Sequence, residues 1–163
     1  MDDTFFVIPA DKAHRQADVY RPEWDGADTP PGPLAPMTGI ANISATEGQD
    51  FSMPHVYEMG GGGLVSCLRD YTRFALMLLN KGELDGVRVL SSNTVEWMSS
   101  NHLPGGADMP SYAATERADV GIGFGLGFGM QLGPPDWHNR RGKGTFYWGG
   151  AASTMFWVVT CTD

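Results

Sequence analysis

Trp148, Gly149, Gly150 and Ala151 are the first candidates for chemistry in this chain. Aromatic and β-branched residues flank the two glycines on both sides, which predicts two strands that meet at a turn or one strand interrupted by glycine. Glycine in a strand lets a ligand or a second backbone approach closely. Trp148 would add an apolar face and one N–H donor to such a site. A buried strand with a glycine kink has the same pattern, so the motif alone leaves both interpretations open.

The other residue types that commonly carry out catalysis or bind metals are scattered. The four histidines, at positions 14, 55, 102 and 138, are too far apart in sequence to indicate a metal site. The two cysteines, Cys67 and Cys161, have neither metal-ligand spacing nor a disulfide framework. Cys67 falls in the first turn of a predicted helix, where a thiol can become reactive, although a small packed side chain there is the alternative interpretation.

Composition excludes several classes of function. The net charge of −8 speaks against nonspecific nucleic-acid binding, which needs clustered lysine and arginine. No apolar run approaches the roughly 20 residues of a membrane-spanning helix, so no membrane interaction is expected. No secretion signal is visible at the N-terminus, which leaves the location open but favours the cytoplasm for the chain as given.

Periodicity predicts the elements that position these residues. Residues 1–59 are rich in loops, 60–101 are mainly helical, and 119–160 form strands. One helix is predicted over Cys67–Asn80, with Ser66 as N-cap and Gly82 as the left-handed residue after its end. Its apolar face would include Leu68, Tyr71, Ala75 and Leu78. A tight turn over Leu84–Val87 precedes a second helix, about Ser92–Asn101, capped by Ser91. From Asp119 to Met130 glycine alternates with large apolar residues, which predicts a strand with one nearly bare face.

These segments, in this order, resemble the C-terminal part of the serine β-lactamase and penicillin-binding protein superfamily, in particular its class C and family VIII esterase branch. The resemblance runs from Met1–Phe6 through Gly60–Ser66 and the helix around Asp70, and then through Gly123–Phe128. Trp148–Gly150 stands where this superfamily carries Lys-Thr-Gly or, in the esterases, Trp-x-Gly. The resemblance implies an α+β (mixed α/β) fold, in which helices flank an antiparallel sheet, with residues 1–163 as a single partial domain.

The resemblance also implies roles for the first candidates. The backbone N–H just after the last motif residue, here that of Ala151, would help to form the oxyanion hole, and Trp148, Gly149 and Gly150 would bind substrate. The parent protein would cleave a small ester or amide through an acyl-serine intermediate, without a cofactor or metal. Tryptophan in the lysine position favours neutral acyl substrates over carboxylated β-lactams, although Arg140, Arg141 or Lys143 could restore a cation.

The catalytic groups of this superfamily are absent from the sequence. No serine is followed three residues later by lysine, and no tyrosine is followed two residues later by asparagine or serine. The superfamily would also continue beyond Asp163 into another strand and a helix. We therefore expect an internal fragment that is inactive alone.

The alternative is a non-catalytic binding or assembly module that uses the same sheet. The terminal run Met155–Val159 is apolar and uncharged, and an unpaired strand edge of this kind is a template for association. We accordingly expect self-association through exposed strand edges.

Overall fold

The structure is a computed structural model, and it describes residues 1–23, 39–42, 51–54, 58, 61–112, 121–133, 142–150 and 154–160. The chain divides into two compact units, Met1–Asp70 and Tyr71–Asp163. Helices and antiparallel sheets occur together, so the predicted α+β class is confirmed. The single partial domain over residues 1–163 stays a prediction. Within the described ranges, no helix has both the length and the apolar character needed to cross a membrane.

The described residues of the first unit include two short antiparallel pairings. Strand β1 (Tyr20–Glu23) pairs with β2 (Gly39–Asn42). Phe5 and Val65 exchange both of their backbone hydrogen bonds, at 2.9 and 2.8 Å. This bridge ties the N-terminal segment to the residues that immediately precede the first α-helix.

Helix α1 (Leu68–Leu79) lies within one residue of its predicted bounds at each end. Its C-terminus is a Schellman motif, because the Gly82 N–H donates to the Met77 carbonyl at 2.8 Å and the Lys81 N–H to the Leu78 carbonyl at 3.0 Å. Lys81, at φ 52°, therefore occupies the left-handed position predicted for Gly82. Glycine is still required at position 82, since its φ is 92° and a Cβ there would overlap the carbonyl oxygen of Leu90.

The predicted N-cap of α1 is wrong. Ser66 Oγ does not cap the helix but lies 2.9 Å from Thr4 Oγ1, because the N-terminal segment packs against this end. Leu68, predicted on the apolar face, is 86% exposed. The buried apolar side chains of the helix are Met77 and Leu78, in its last turns.

A β-hairpin joins α1 to the second helix. Strands β3 (Glu83–Leu84) and β4 (Val87–Arg88) flank Asp85 and Gly86, whose φ angles of 51° and 77° confirm the predicted tight turn. Helix α2 (Ser92–Met98) then begins as predicted, with Ser91 as its cap. It ends three residues before the predicted end because the following residues bond to a strand instead.

That strand opens a four-stranded antiparallel sheet in chain order. Its members are β5 (Ile122–Phe124), β6 (Gly129–Gln131), β7 (Phe146–Gly149) and β8 (Met155–Val158). The single strand predicted over Asp119–Met130 is wrong in its described part, 121–130, which is the β5–β6 hairpin. Of the two alternatives for the glycine pair, two strands that meet at a turn is the correct one, since β7 and β8 are neighbours.

The glycines of this hairpin are explained by close packing rather than by a bare face. A Cβ at Gly125 would overlap the carbonyl oxygen of Met98, and one at Gly123 would lie 2.6 Å from Asn101 Cγ. The Leu126 N–H donates to that Met98 carbonyl at 2.9 Å. Glycine is therefore needed because the end of α2 lies directly on the hairpin.

The core of the second unit lies between α1, α2 and one face of this sheet. Three aromatic rings pack together there: Phe128 contacts Phe146 and Phe156 with ring centroids 5.1 and 5.8 Å apart. Burial of this apolar surface is the main stabilising contribution to the unit. Its buried members are Met77, Leu78, Val95, Phe128, Met130, Phe146 and Val158.

Candidate functional site

Trp148 lies near the end of β7, and its side chain is 40% exposed. One part of the indole is held by a second aromatic ring, that of Phe124, with centroids 4.8 Å apart and ring planes at 80°. Gly129 provides a bare backbone beside the indole, because a Cβ at that position would lie 3.4 Å from Trp148 Cζ3. The indole is thus fixed on one side and open to solvent on the other.

Strand β7 is paired unequally on its two edges at this point. Toward β8, all four of its residues are paired, whereas toward β6 the pairing reaches only Phe146 and Tyr147. The Gly150 N–H continues the β8 ladder by donating to the Thr154 carbonyl at 2.9 Å. Because successive residues of a strand turn their N–H and C=O groups to opposite edges, those of Gly149 face the β6 side, beyond the end of β6. Within the described part of the chain, no strand pairs with Gly149 on that edge.

The structure brings together three of the four predicted site residues. Trp148, Gly149 and Gly150 are consecutive and exposed at the end of β7. Ala151, the predicted oxyanion-hole donor, lies outside the described residues. An open strand edge with unpaired backbone groups beside an apolar ring can bind a carbonyl compound, since N–H donors bind its oxygen and the ring contacts its apolar part.

Sequence reasoning missed the two residues that hold the indole, Phe124 and Gly129. Both belong to the segment of alternating glycines, and the phenylalanine in that segment was the available signal. Period-two alternation predicts one continuous strand and gives no sign of the turn that folds Gly129 back beside Phe124. The pairing of these two residues across the hairpin places both within reach of Trp148.

The first unit carries a separate polar cluster around Asp3. Its carboxylate bonds to Lys12 Nζ at 2.6 Å and to Arg15 Nη2 at 3.0 Å. These hydrogen bonds, from Arg15 first and Lys12 second, hold the pKa of Asp3 far below its usual value, and Asp3 in turn raises the pKa of Arg15. Cys67, half-buried with a free thiol, lines a cavity of about 60 Å³ beside this cluster.

Asp70 joins the same end of α1 to the N-terminal segment. It is 3% exposed and accepts hydrogen bonds from the Asp3 N–H at 2.7 Å and from Thr4 Oγ1 at 2.9 Å. The backbone hydrogen bond from Asp3 is the main cause of a lowered Asp70 pKa, and burial opposes it. These two hydrogen bonds clamp the start of α1 to the N-terminal segment.

No metal site is formed by the described residues, among which no three histidine, cysteine, aspartate or glutamate side chains are grouped suitably. His102 packs edge-on against Trp97 with ring centroids 5.3 Å apart, and its Nε2 lies 2.8 Å from the Trp97 carbonyl oxygen. His14 is exposed in a 3-10 helix over Ala13–Arg15. His55 and His138 lie outside the described residues.

Comparison with known proteins places this chain in a family. The family model described as "Beta-lactamase" matches residues 1–163, the whole chain. Two proteins of Mycobacterium tuberculosis, "Protein Rv1367c" and "Uncharacterized protein MT1414", are each 33% identical to it over 166 residues. The match takes in 100% of this chain and 38% of each relative, so the chain spans about two fifths of the length of the curated relatives it matches.

Proposed function

This chain belongs to the β-lactamase family, and from that premise we propose that it is part of a serine hydrolase. The whole protein cleaves an ester or amide carbonyl through an acyl-serine intermediate. This part supplies the strand beside the reacting carbonyl and one wall of the acyl pocket. The nucleophile comes from outside these 163 residues, since no Ser-x-x-Lys occurs among them.

The observation that carries the proposal is the open edge of β7. Trp148 is exposed, and the Gly149 backbone faces an edge that β6 does not reach. Fixed N–H donors at such an edge stabilise the negative charge that develops on a substrate oxygen, without reorganisation during the reaction. The N–H of Ala151 is the proposed oxyanion donor, and Trp148, Gly149 and Gly150 are the proposed substrate contacts.

The proposed substrates are neutral esters or amides. A lysine in the first position of this motif would offer a cation to a carboxylated substrate, whereas Trp148 offers an apolar ring and one N–H donor. Burying a substrate carboxylate against an uncharged indole would leave that charge unpaired, which is unfavourable. An esterase-like preference follows.

A turnover assay tests whether the catalytic groups lie outside this chain. We expect the purified chain to hydrolyse neither para-nitrophenyl butyrate nor nitrocefin above the uncatalysed rate, because an oxyanion hole without its nucleophile retains only a small residual acceleration. Turnover that disappears on replacement of one serine of this chain would overturn the proposal. In the coding DNA, an open frame upstream of residue 1 with Ser-x-x-Lys would support it.

A binding assay tests the pocket wall. The probe is the ketone in which a methylene replaces the ester oxygen of para-nitrophenyl butyrate. Its binding to the full chain is measured by tryptophan fluorescence. We expect Trp148→Ala to weaken binding about tenfold or more, since a buried aromatic contact contributes roughly 1–3 kcal/mol. Trp97→Ala, which removes an exposed tryptophan of α2, is the matched control. Equal affinities in the two variants would contradict the assignment of Trp148.

A non-catalytic binding or assembly module is the second candidate. It is favoured by β8, the last strand in the sheet order. Met155 of this strand is 57% exposed, and Val159, which directly follows the strand, is 45% exposed. The two candidates differ in the ketone assay: an assembly module would show concentration-dependent association and no specific response of Trp148 to the ketone.

A further inference from the structure

Both backbone polar groups of Phe124 are tied to the segment that follows α2. The Phe124 N–H donates to Asn101 Oδ1 at 3.1 Å, and the Phe124 carbonyl accepts from the His102 N–H at 2.8 Å. Phe124 ends β5, on the edge of the sheet opposite β8. Its main chain is therefore held on the side where the sheet offers no further strand within the described residues.

Asn101 is itself fixed by three backbone groups. Its Oδ1 also accepts from the Leu103 N–H at 3.2 Å, and its Nδ2 donates to the Ala107 carbonyl at 2.9 Å. The missing side chain of Gly123 makes room for it, because a Cβ there would lie 2.6 Å from Asn101 Cγ. An amide that uses both ends in this way has one favoured orientation.

The ring of Phe124, whose backbone is held in this way, contacts the Trp148 indole. The two rings are in edge-to-face contact, the preferred arrangement for aromatic pairs, with a centroid distance of 4.8 Å. The indole lies close to Gly129, since a Cβ at that position would lie 3.4 Å from its Cζ3 atom. Trp148 is 40% exposed and directly precedes Gly149, with which no strand in the described part of the chain pairs on the β6 side.

We propose that Phe124, anchored by Asn101, is a positioning residue that fixes the Trp148 indole as the wall of the acyl pocket. This inference rests on the proposed function for the role of Trp148. An indole already held in its binding orientation loses less conformational freedom when a substrate binds, so affinity is gained without any contact between Phe124 and the substrate. The sequence feature behind this arrangement is Gly123-Phe124-Gly125 at the end of β5, in which the two glycines leave room for Asn101 and the end of α2.

The experiment uses the full chain labelled with 5-fluorotryptophan, with the Trp148 signal assigned through Trp148→Phe. We expect a single Trp148 fluorine line in the unsubstituted chain and in Phe124→Tyr, which keeps the ring. In Phe124→Leu and in Asn101→Ala the line should shift and broaden. The Trp157 line, from β8, reports whether the sheet stays folded.

The ketone titration is the second readout. Loss of one aromatic contact converts to a three- to tenfold weaker affinity, so we expect that loss in Phe124→Leu and full affinity in Phe124→Tyr. An unchanged Trp148 line and unchanged affinity in Phe124→Leu would overturn the positioning role. If Phe124→Leu moves the Trp148 line but no chain binds the ketone, the proposed function fails while the fixing of the indole stands. A Phe124→Leu chain with an altered line and unweakened affinity would refute the link between the two.

Discussion

Gly125 illustrates, at the scale of single residues, how a missing side chain determines packing. Its N–H donates to the Phe128 carbonyl at 2.8 Å inside the β5–β6 turn, while the Met98 carbonyl occupies the space that a Cβ would need. The Met98 carbonyl also accepts a hydrogen bond from the Leu126 N–H. Since the obstacle is backbone rather than a flexible side chain, the site has little room to relax.

We therefore expect Gly125→Ala to destabilise the second unit by about 3 kcal/mol, at the upper end of the overpacking range. Gly133→Ala is the matched control, because a Cβ there meets nothing within 4 Å and should change stability by less than about 0.5 kcal/mol. Denaturant unfolding followed by tryptophan fluorescence measures both. Similar midpoints for the two variants would show that the α2–β5 contact gives way easily.

Two carboxylates of the first unit have pKa values that folding lowers. Asp3 is held in its charged form by Arg15 and Lys12, and Asp70 by the Asp3 N–H and the Thr4 hydroxyl. The folded state therefore favours the ionised carboxylates more than the unfolded chain does. Their stabilising contribution is fully present above the unfolded pKa, about 4, and is lost as the pH falls below it toward the lower folded values.

The predicted consequence is an acid-sensitive N-terminal clamp. Asp3→Asn should destabilise the first unit at pH 6, and its deficit should shrink as the pH is lowered from about 4 to 2, because Asp3 takes up a proton in the unfolded parent chain over this range while the folded chain keeps it ionised. Hydrogen exchange of the Phe5 and Val65 amides, corrected for intrinsic rates, reports on this bridge. Asp11→Asn, which changes an exposed carboxylate nearby, is the control. A deficit that is independent of pH would rule out the ionic origin.

At the scale of elements, local signals worked where the surroundings did not compete with them. Ser91 caps α2 as predicted, with its Oγ accepting from the Thr94 N–H at 3.0 Å. Ser66 is likewise a serine that precedes a helix, α1, yet its hydroxyl bonds to Thr4, a residue 62 positions away. A cap can be read from sequence only when no distant segment offers the hydroxyl another partner.

Ser91→Ala should accordingly cost about 1 kcal/mol, the usual value for a lost N-cap. Ser92→Ala, one residue farther along, removes a hydroxyl at the first helical position and should be neutral within about 0.5 kcal/mol, since alanine is the better helix former. Thermal unfolding of the two variants by circular dichroism provides the comparison. If Ser92→Ala were the more damaging change, the helix boundary assigned here would be wrong.

The sequence predicts the motif of the candidate site but not the contacts that hold Trp148 in place. Strand residues and glycines around Trp148 indicate either two strands that meet at a turn or one strand interrupted by glycine, and β7 and β8 have the first arrangement. The contact of Trp148 with Phe124 could not be read from sequence, because it depends on the β5–β6 hairpin and on the carbonyl of Met98 that holds its turn. Such contacts are tertiary, and period-two patterning carries no information about them.

At the scale of the whole molecule, the four-stranded sheet has two different outer strands. The β5 edge is bonded to the segment after α2 through Asn101 and His102. On β8, Phe156 packs against α1 through Phe74 and Tyr71, while Met155 faces outward. Edge strands with exposed apolar side chains favour pairing with another chain, and natural proteins often oppose this with lysine.

Self-association through β8 remains a prediction, and charge substitution tests it. We expect the chain to sediment as a dimer or larger species at micromolar concentration, and Met155→Lys or Val159→Lys to shift it toward monomer, because a charge on an edge strand opposes strand addition. Val87→Lys, on the exposed hairpin strand β4, changes the net charge equally and should leave association unchanged. A monomer with a cooperative thermal transition in the unsubstituted chain would contradict the prediction. An equal effect of all three lysines would instead assign association to net charge, and the β8 edge would lose its role.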